Sequence, residues 1–343
     1  MLSAFSWLYS KIIDQRNSAY KSGKFKTHRL SVPVISVGNI TVGGTGKTPL
    51  VSLITEILAE NGEDVCVISR GYKRKNENER VLVSNKGKML SDVQISGDEP
   101  FELAQRLIGK AIVIADADRV GAGKWAIEEF GITAIVLDDA FQHQRISRDL
   151  DIVVIDATNP FGNEKTLPTG ILRESLENLT RADMFVITRA NISKNLDDIE
   201  NKIREYNKTS LIISGKNKTE EVVKLDEYSS NEKNQSTFSK DLPLFAFCAL
   251  GNPNNFFDQL KDEGFDIKAS KTFRDHHSYK QKDIDLLYEK AREANCKGFL
   301  TTAKDAVKLD QLEFKMPCYV AKTKLVIPEK EKLRQMIDAA FRE

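Results

Sequence analysis

Glycines, a lysine and a threonine that could bind phosphate are crowded into one short stretch. In GNITVGGTGKTPLV, residues 38–51, Gly43, Gly44 and Gly46 lead into Lys47 and Thr48. Without Cβ atoms, glycines let backbone N–H groups approach phosphate oxygens, and a helix beginning there adds its positive end. Lys47 can reach β- and γ-phosphates, and Thr48 can place a hydroxyl on Mg²⁺. Pro49 suits a first helical turn, where its missing N–H costs nothing. The strict phosphate-loop spacing places its first glycine where this chain has Thr41, so the loop, Thr41 through Thr45 to Thr48, is a variant.

Such a loop needs a carboxylate for the metal. The segment AIVLDDAFQHQ supplies Asp138 and Asp139 at the end of an apolar run, the arrangement in which a buried strand delivers an acid beside the loop. An Asp after a strand also caps helices, but the phosphate loop favours the metal. Guanine-specific relatives of such loops carry Asn-Lys-x-Asp. Neither Thr188-Arg189-Ala190-Asn191 nor Thr302-Ala303-Lys304-Asp305 matches, so ATP is favoured. Partition-type ATPases place a lysine before the paired glycines, where this chain has Val42.

Other reactive side chains are less decided by spacing. Asp98-Glu99-Pro100 precedes a helical pattern, so Asp98 suits a helix cap. Asp275 and Ser278 suit a cap too, leaving His276 and His277 at the surface. Arg173-Glu174 suits an exposed ion pair, worth about 0–1 kcal/mol. Arg119 and Arg145 suit phosphate contact or local pairing, and Tyr72 suits base stacking or crevice filling.

The elements that must position these residues alternate. Apolar, β-branched runs at Val34–Val37, Val65–Ser69, Ile112–Ala115, Ala134–Leu137, Ile152–Ile155 and Phe185–Thr188 read as strands, with helices after Lys47 and around Glu99–Leu107. Strands apolar throughout indicate a parallel sheet covered on both faces, with ligands at the strands' carboxyl ends. Gly38, Arg70, Asp116, Asp138 and Asp156 follow such ends. Residues 216–243 are polar and read as a linker or exposed hairpin. A second series, Leu244–Leu250, Phe299–Thr302 and Cys318–Ala321, reads as a smaller α/β domain. The expected organisation is an N-terminal segment (1–30), a phosphate-loop domain (31–215), the linker (216–243) and the smaller domain (244–343).

Composition narrows the class. The chain of 343 residues is 41% hydrophobic and 29% charged with net charge +1, which excludes a polycation seeking nucleic acid. Cys66, Cys248, Cys296 and Cys318 are dispersed and read as reduced thiols, not a disulfide framework or zinc site. At the N-terminus Phe5, Leu8, Tyr9 and Ile12 share one helical face. Lys11, Arg16, Lys21, Lys24, Lys26 and Arg29 face a single acid, Asp14, across residues 1–30. The apolar part is too short to span a bilayer and lacks a secretory signal's basic leader and cleavage site. It suits an anionic membrane surface, or a helix packed on the body.

Taken in order, SVGNITVGGTGKTP, SRGY, GDEP, LDDAFQH, LPTGILRE, GNPNNFF, DHHSY and TTAKDAVKL resemble the tetraacyldisaccharide 4'-kinase family, which acts in lipid A biosynthesis. The motifs run from about residue 32 to 309, and the loop with Thr41 is that family's form. The resemblance implies an ATP- and Mg²⁺-dependent kinase of a glycolipid, tetraacyldisaccharide 1-phosphate. It further implies peripheral, monotopic attachment to the cytoplasmic face of the inner membrane, without an obligate protein partner. By the same resemblance Lys47 takes the phosphate-loop role, Arg173 and Glu174 form a pair at the active site, Asp98 is the base and His276 supports it, provided the second domain closes on the first. Asp138, Asp139, Glu99, Glu174 and Thr48 lie near the metal. Thr169, Ile171, Lys73 and Ala303 depart from the family's usual residues. Two rivals are a synthetase of the dethiobiotin type and a partner-recruiting nucleotide switch.

Overall fold

The computed structural model describes residues 2–193, 195–230 and 238–341; residues 231–237 of the expected linker lie outside the described residues. Two open sheets organise the chain. The larger holds β1 (Val34–Asn39), β2 (Val65–Ser69), β3 (Val81–Ser84), β4 (Ala111–Ala115), β5 (Ala134–Asp138), β6 (Leu150–Asp156), β7 (Met184–Thr188) and β8 (Leu211–Ser214). Their order is β3-β4-β2-β5-β1-β6-β7-β8. All neighbours are parallel except β3, which runs antiparallel to β4.

The six strands read from apolar runs are the interior of this sheet, and every one of their residues is buried. Alternate residues feed opposite cores. Ile35, Val37, Val65 and Val67 pack with Leu50, Ile54 and Leu58 of helix Lys47–Glu60. Val34, Cys66 and Ile68 pack with Val120 and Ala126 of helix Arg119–Phe130. The edge strands β3 and β8 are short and partly exposed, so they lack that apolar signature.

The smaller sheet holds β9 (Lys216–Lys224), β10 (Leu244–Cys248), β11 (Ile267–Thr272), β12 (Gly298–Thr302) and β13 (Cys318–Val326), in the order β11-β10-β12-β13-β9. Residues 216–224, read as linker or exposed hairpin, are thus a strand, paired antiparallel with β13 from Tyr319↔Lys224 to Val326↔Lys216. Its mostly polar, exposed or half-buried side chains hid it from a reading based on apolar runs. The far end of β13 leaves the smaller body. Leu325 and Ile327 join Leu333 and Ile337 of helix Lys330–Ala340 in the core of the larger sheet. The ribbon of β9 and β13 therefore ties the two bodies together, and helix Lys330–Ala340 packs on the larger one.

Helix Leu2–Lys21 has its polarity turned inward. Ser6 donates to the Thr166 carbonyl at 2.6 Å, Tyr9 to the Arg173 carbonyl at 2.8 Å, and Asn17 to Glu174 at 3.0 Å. Its apolar side chains face out: Leu2, Phe5, Trp7, Leu8 and Ile12 are each half or more exposed.

Candidate active site

The order of the large sheet decides where the chemistry lies. The chain leaves β1 as the phosphate loop, and β5, not β2, is one of its neighbours, so Asp138 at the end of β5 sits level with Val37. This is a switch point of the strand order, where open parallel sheets bind ligands. Gly38 is required there: a Cβ would stand 2.4 Å from the Phe141 backbone nitrogen. Gly43 and Gly46 have φ of 106° and 84°, and a Cβ on Gly43 or Gly44 would meet only open space. Helix Lys47–Glu60 begins after Gly46 with no side-chain cap, so its first N–H groups remain available. From β7, Thr188 donates to the Thr45 carbonyl at 2.8 Å and braces the loop. The Thr45 hydroxyl is buried with no partner. Thr41 is buried, outside the lining of the cleft described below. A helix N-terminus, open glycines and a lysine form a cradle that fits nucleotide phosphates.

Lys47 is held ready rather than loose. Its Nζ lies 3.2 Å from Asn39 Oδ1 and 3.3 Å from Asp139 Oδ1. Arg173 Nη1 grips both oxygens of Asp139, at 2.8 and 2.9 Å. Burial opposes ionisation of Asp139, but Lys47 and then Arg173 outweigh it and hold the carboxyl well below its usual range. Asp138 shows the reverse. Burial, then the nearby Glu99 and Asp139, push it up to about 7, although Ser69 donates to it at 2.8 Å. A buried acid crowded by acids is the environment a divalent cation relieves. Among the described residues no three His, Cys, Asp or Glu side chains make a ready cage. Mg²⁺ is usually held by one or two carboxylates plus phosphate oxygens and water. Asp138, with Thr48 and Glu99 lining the same cleft, fits that donor set.

The second body closes this cleft, which has a volume of about 810 Å³. Gly251, in the GNPNNFF segment, packs so close that a Cβ on it would stand 3.3 Å from Gly43 Cα. His276 Nδ1 reaches Asp98 Oδ2 at 3.3 Å across 178 residues of sequence. His276 takes φ of 60°, a left-handed backbone that a non-glycine residue rarely adopts. Asp98 is the first residue of helix Asp98–Leu107, whose cap position is Gly97. Burial opposes its charge, yet His276 and Lys308 together hold its carboxyl below the usual range. Lys304 lies 3.7 Å from Glu99 and 3.3 Å from Asp275. Burial works against its charge, but Glu99 and Asp275 raise its pKa.

One residue lies elsewhere than the sequence reading placed it, and others are resolved between its alternatives. Glu174 is corrected from a metal neighbour to an internal anchor. It is fully buried, with Arg181 on both oxygens at 3.0 Å, Asn17 at 3.0 Å and Gln142 at 2.8 Å. Its lone pairs are taken up by the protein. Arg119 is buried and donates to the Asp138 carbonyl at 3.0 Å, and Arg145 pairs with Asp118 at 3.0 Å, so both work locally. His277 pairs with Asp283 at 3.1 Å and stacks on Phe273. Tyr72 is half exposed and meets the His276 ring edge-on at 5.9 Å. Sequence reasoning assigned no role to Asn39, Ser69 or Lys308. Asn39 in GNITV and Ser69 in SRGY end their strands, and Lys308 lies in TTAKDAVKL, so all three could have been found from those motifs.

A family model described as LpxK, tetraacyldisaccharide-1-P 4'-kinase, matches residues 1–342. The chain belongs to this family. Similar relatives named tetraacyldisaccharide 4'-kinase include one from Desulfotalea psychrophila, 37% identical over 326 residues, covering 94% of this chain and 91% of the relative. Another, from Halothermothrix orenii, is 38% identical over 327 residues, covering 92% and 84%. The crystal structure of LpxK from Aquifex aeolicus in complex with ATP superimposes with a TM-score of 0.78 at 30% identity, covering 98% of both chains. The family resemblance and the α/β phosphate-loop fold read from the sequence are thereby established for this chain.

Proposed function

We propose that the chain transfers the γ-phosphoryl group of ATP to the 4'-hydroxyl of tetraacyldisaccharide 1-phosphate, at a membrane surface, yielding the 1,4'-bisphosphorylated lipid A precursor. One observation carries this reading within the family: a phosphate cradle and a carboxylate–histidine pair, from two bodies, meet at one closed cleft. The cradle fits a nucleotide, and the pair fits an alcohol that must lose its proton.

Phosphoryl transfer depends mainly on positioning and charge stabilisation. The loop N–H groups and Lys47 bind the β- and γ-phosphates, while Asn39 and Asp139 keep Lys47 extended toward them. Arg173, by gripping Asp139, fixes that lysine's partner and adds positive charge at the cleft wall. Asp98 accepts the proton of the acceptor hydroxyl, and His276 orients it. Asp138, Thr48 and Glu99 would hold Mg²⁺, which would supply positive charge to neutralise the phosphates.

The acceptor's acyl chains require a bilayer surface. No helix among the described residues is long and apolar enough to cross a membrane. Helix Leu2–Lys21 instead presents apolar side chains outward, while its Tyr9, Ile13 and Arg16 line the cleft. A surface-lying helix of this kind supports peripheral attachment, on the cytoplasmic face where ATP is present.

The test incubates γ-labelled ATP with tetraacyldisaccharide 1-phosphate in detergent. The parent labels the lipid, and Asp98→Ala lowers kcat by roughly 10²–10⁴-fold with the KM for ATP little changed. No labelled lipid from the folded parent refutes the activity. An Asp98→Ala enzyme that keeps more than about a tenth of parental kcat refutes the base.

A further inference from the structure

Asp98 receives a second partner from the smaller body. Lys308 follows the short helix Ala303–Ala306, and its side chain is only 9% exposed. Its Nζ lies 3.2 Å from Asp98 Oδ2 and 3.5 Å from Asp305 Oδ1. His276 Nδ1 approaches the same oxygen, Oδ2, at 3.3 Å. Asp98 Oδ1 has no partner among the described residues.

The Lys308 ammonium is buried without a hydrogen bond, so ion pairs hold it, and one of its partners is anchored. Asp305 is fully buried, and its Oδ2 accepts from the Ala249 N–H at 3.0 Å and the Thr302 hydroxyl at 2.8 Å. The Lys308 ammonium also lies 5.6 Å from the centre of the Tyr279 ring. Asp305 thereby ties this lysine's ion pair to the segments at the ends of β10 and β12. Asp98, by contrast, belongs to the larger body. A carboxylate turns about its last torsion with nearly two-fold symmetry, so one donor leaves its two oxygens easily exchanged. Two nitrogen partners on one oxygen remove that equivalence.

We propose that Lys308 is a positioning residue for phosphoryl transfer. With His276 it occupies Oδ2 of Asp98 and presents Oδ1 to the acceptor hydroxyl, and it does so only when the smaller body has closed on the larger. The inference rests on Asp98 being the base.

Four folded variants decide it: Lys308→Met, Lys308→Arg, Asp98→Asn and Asp98→Asn with Lys308→Met, each assayed for lipid phosphorylation and thermal unfolding. Lys308→Met should lower kcat about 10–100-fold, the scale of a misplaced catalytic group, with the KM for ATP unchanged within about twofold. Lys308→Arg, which keeps the charge, should recover most of that loss. In the Asp98→Asn background, Lys308→Met should add no further loss, as expected of residues acting as one unit. Removing the lysine leaves Asp305 short of a partner, so Lys308→Gln is made in parallel and takes over the same readings if the methionine variant does not fold. A folded neutral variant with parental kcat overturns the inference. So does a loss that multiplies fully with that of Asp98→Asn, or one that appears equally in the KM for ATP. If Asp98→Asn alone turns over at the parental rate, the base assignment fails instead.

Discussion

Replacing Phe5 and Leu8 of the first helix with Ser should release the protein from anionic vesicles while leaving its chemistry intact. Leu2, Phe5, Trp7, Leu8 and Ile12 are 64%, 57%, 63%, 50% and 57% exposed, and the helix is tied to the body by Ser6, Tyr9 and Asn17 on its other side. Fully burying a large apolar side chain contributes about 1.5–3 kcal/mol, so each half-exposed one retains about 1 kcal/mol to gain at the acyl boundary. Losing two of them costs about 2 kcal/mol, roughly 30-fold in the partition coefficient at 1.4 kcal/mol per decade. Reversing Lys11 and Lys21, both exposed, removes about 1 kcal/mol each of attraction to anionic lipid. Arg16 is the wrong residue for that purpose, since it donates to the Gln142 carbonyl at 2.9 Å and lines the cleft. The assay is sedimentation with vesicles of anionic and neutral lipid at two salt concentrations, alongside kcat on detergent-dispersed acceptor. The charge variants should lose the parent's salt sensitivity, and the serine variant should bind weakly at every salt. Parental sedimentation by both variants would show that the outward apolar face has another use.

Two further predictions follow from the site. Lys47→Ala should fold, because the loop is open, yet lower turnover by about 10³-fold or more through lost charge stabilisation; near-parental turnover at saturating ATP removes the phosphate-loop role. Arg181→Met should leave the fully buried Glu174 short of its cation and destabilise the fold by about 3 kcal/mol in chemical denaturation, with the Mg²⁺ dependence of turnover unmoved. A stable variant with an altered Mg²⁺ requirement would return Glu174 to the metal.

Much of the scaffold is local information. A strand buried on both faces must be apolar throughout, so β1, β2, β4, β5, β6 and β7 are visible as runs without reference to any partner. The phosphate loop is local too, because its glycines answer to backbone geometry at Gly43 and Gly46 and its lysine follows them directly. Strands with a polar or exposed face are another matter. β9 alternates with solvent, and only its pairing with β13 makes it a strand and a tie between bodies.

What tertiary structure alone decided is which charges face each other. Arg173 and Glu174 are neighbours in sequence, yet one grips Asp139 at the cleft and the other is sealed against Arg181. Consecutive side chains diverge, and the packing of helix Leu2–Lys21 fixes which of them is enclosed. Residue types around Asp98 suited a helix cap equally well. Its partners come from the other body, through a left-handed turn at His276 and a lysine beyond the end of β12. No local propensity encodes an encounter across such distances in the chain. It arises because the ribbon of β9 and β13 holds two separately packed cores at one spacing, and that spacing brings His276 and Lys308 onto one oxygen of Asp98.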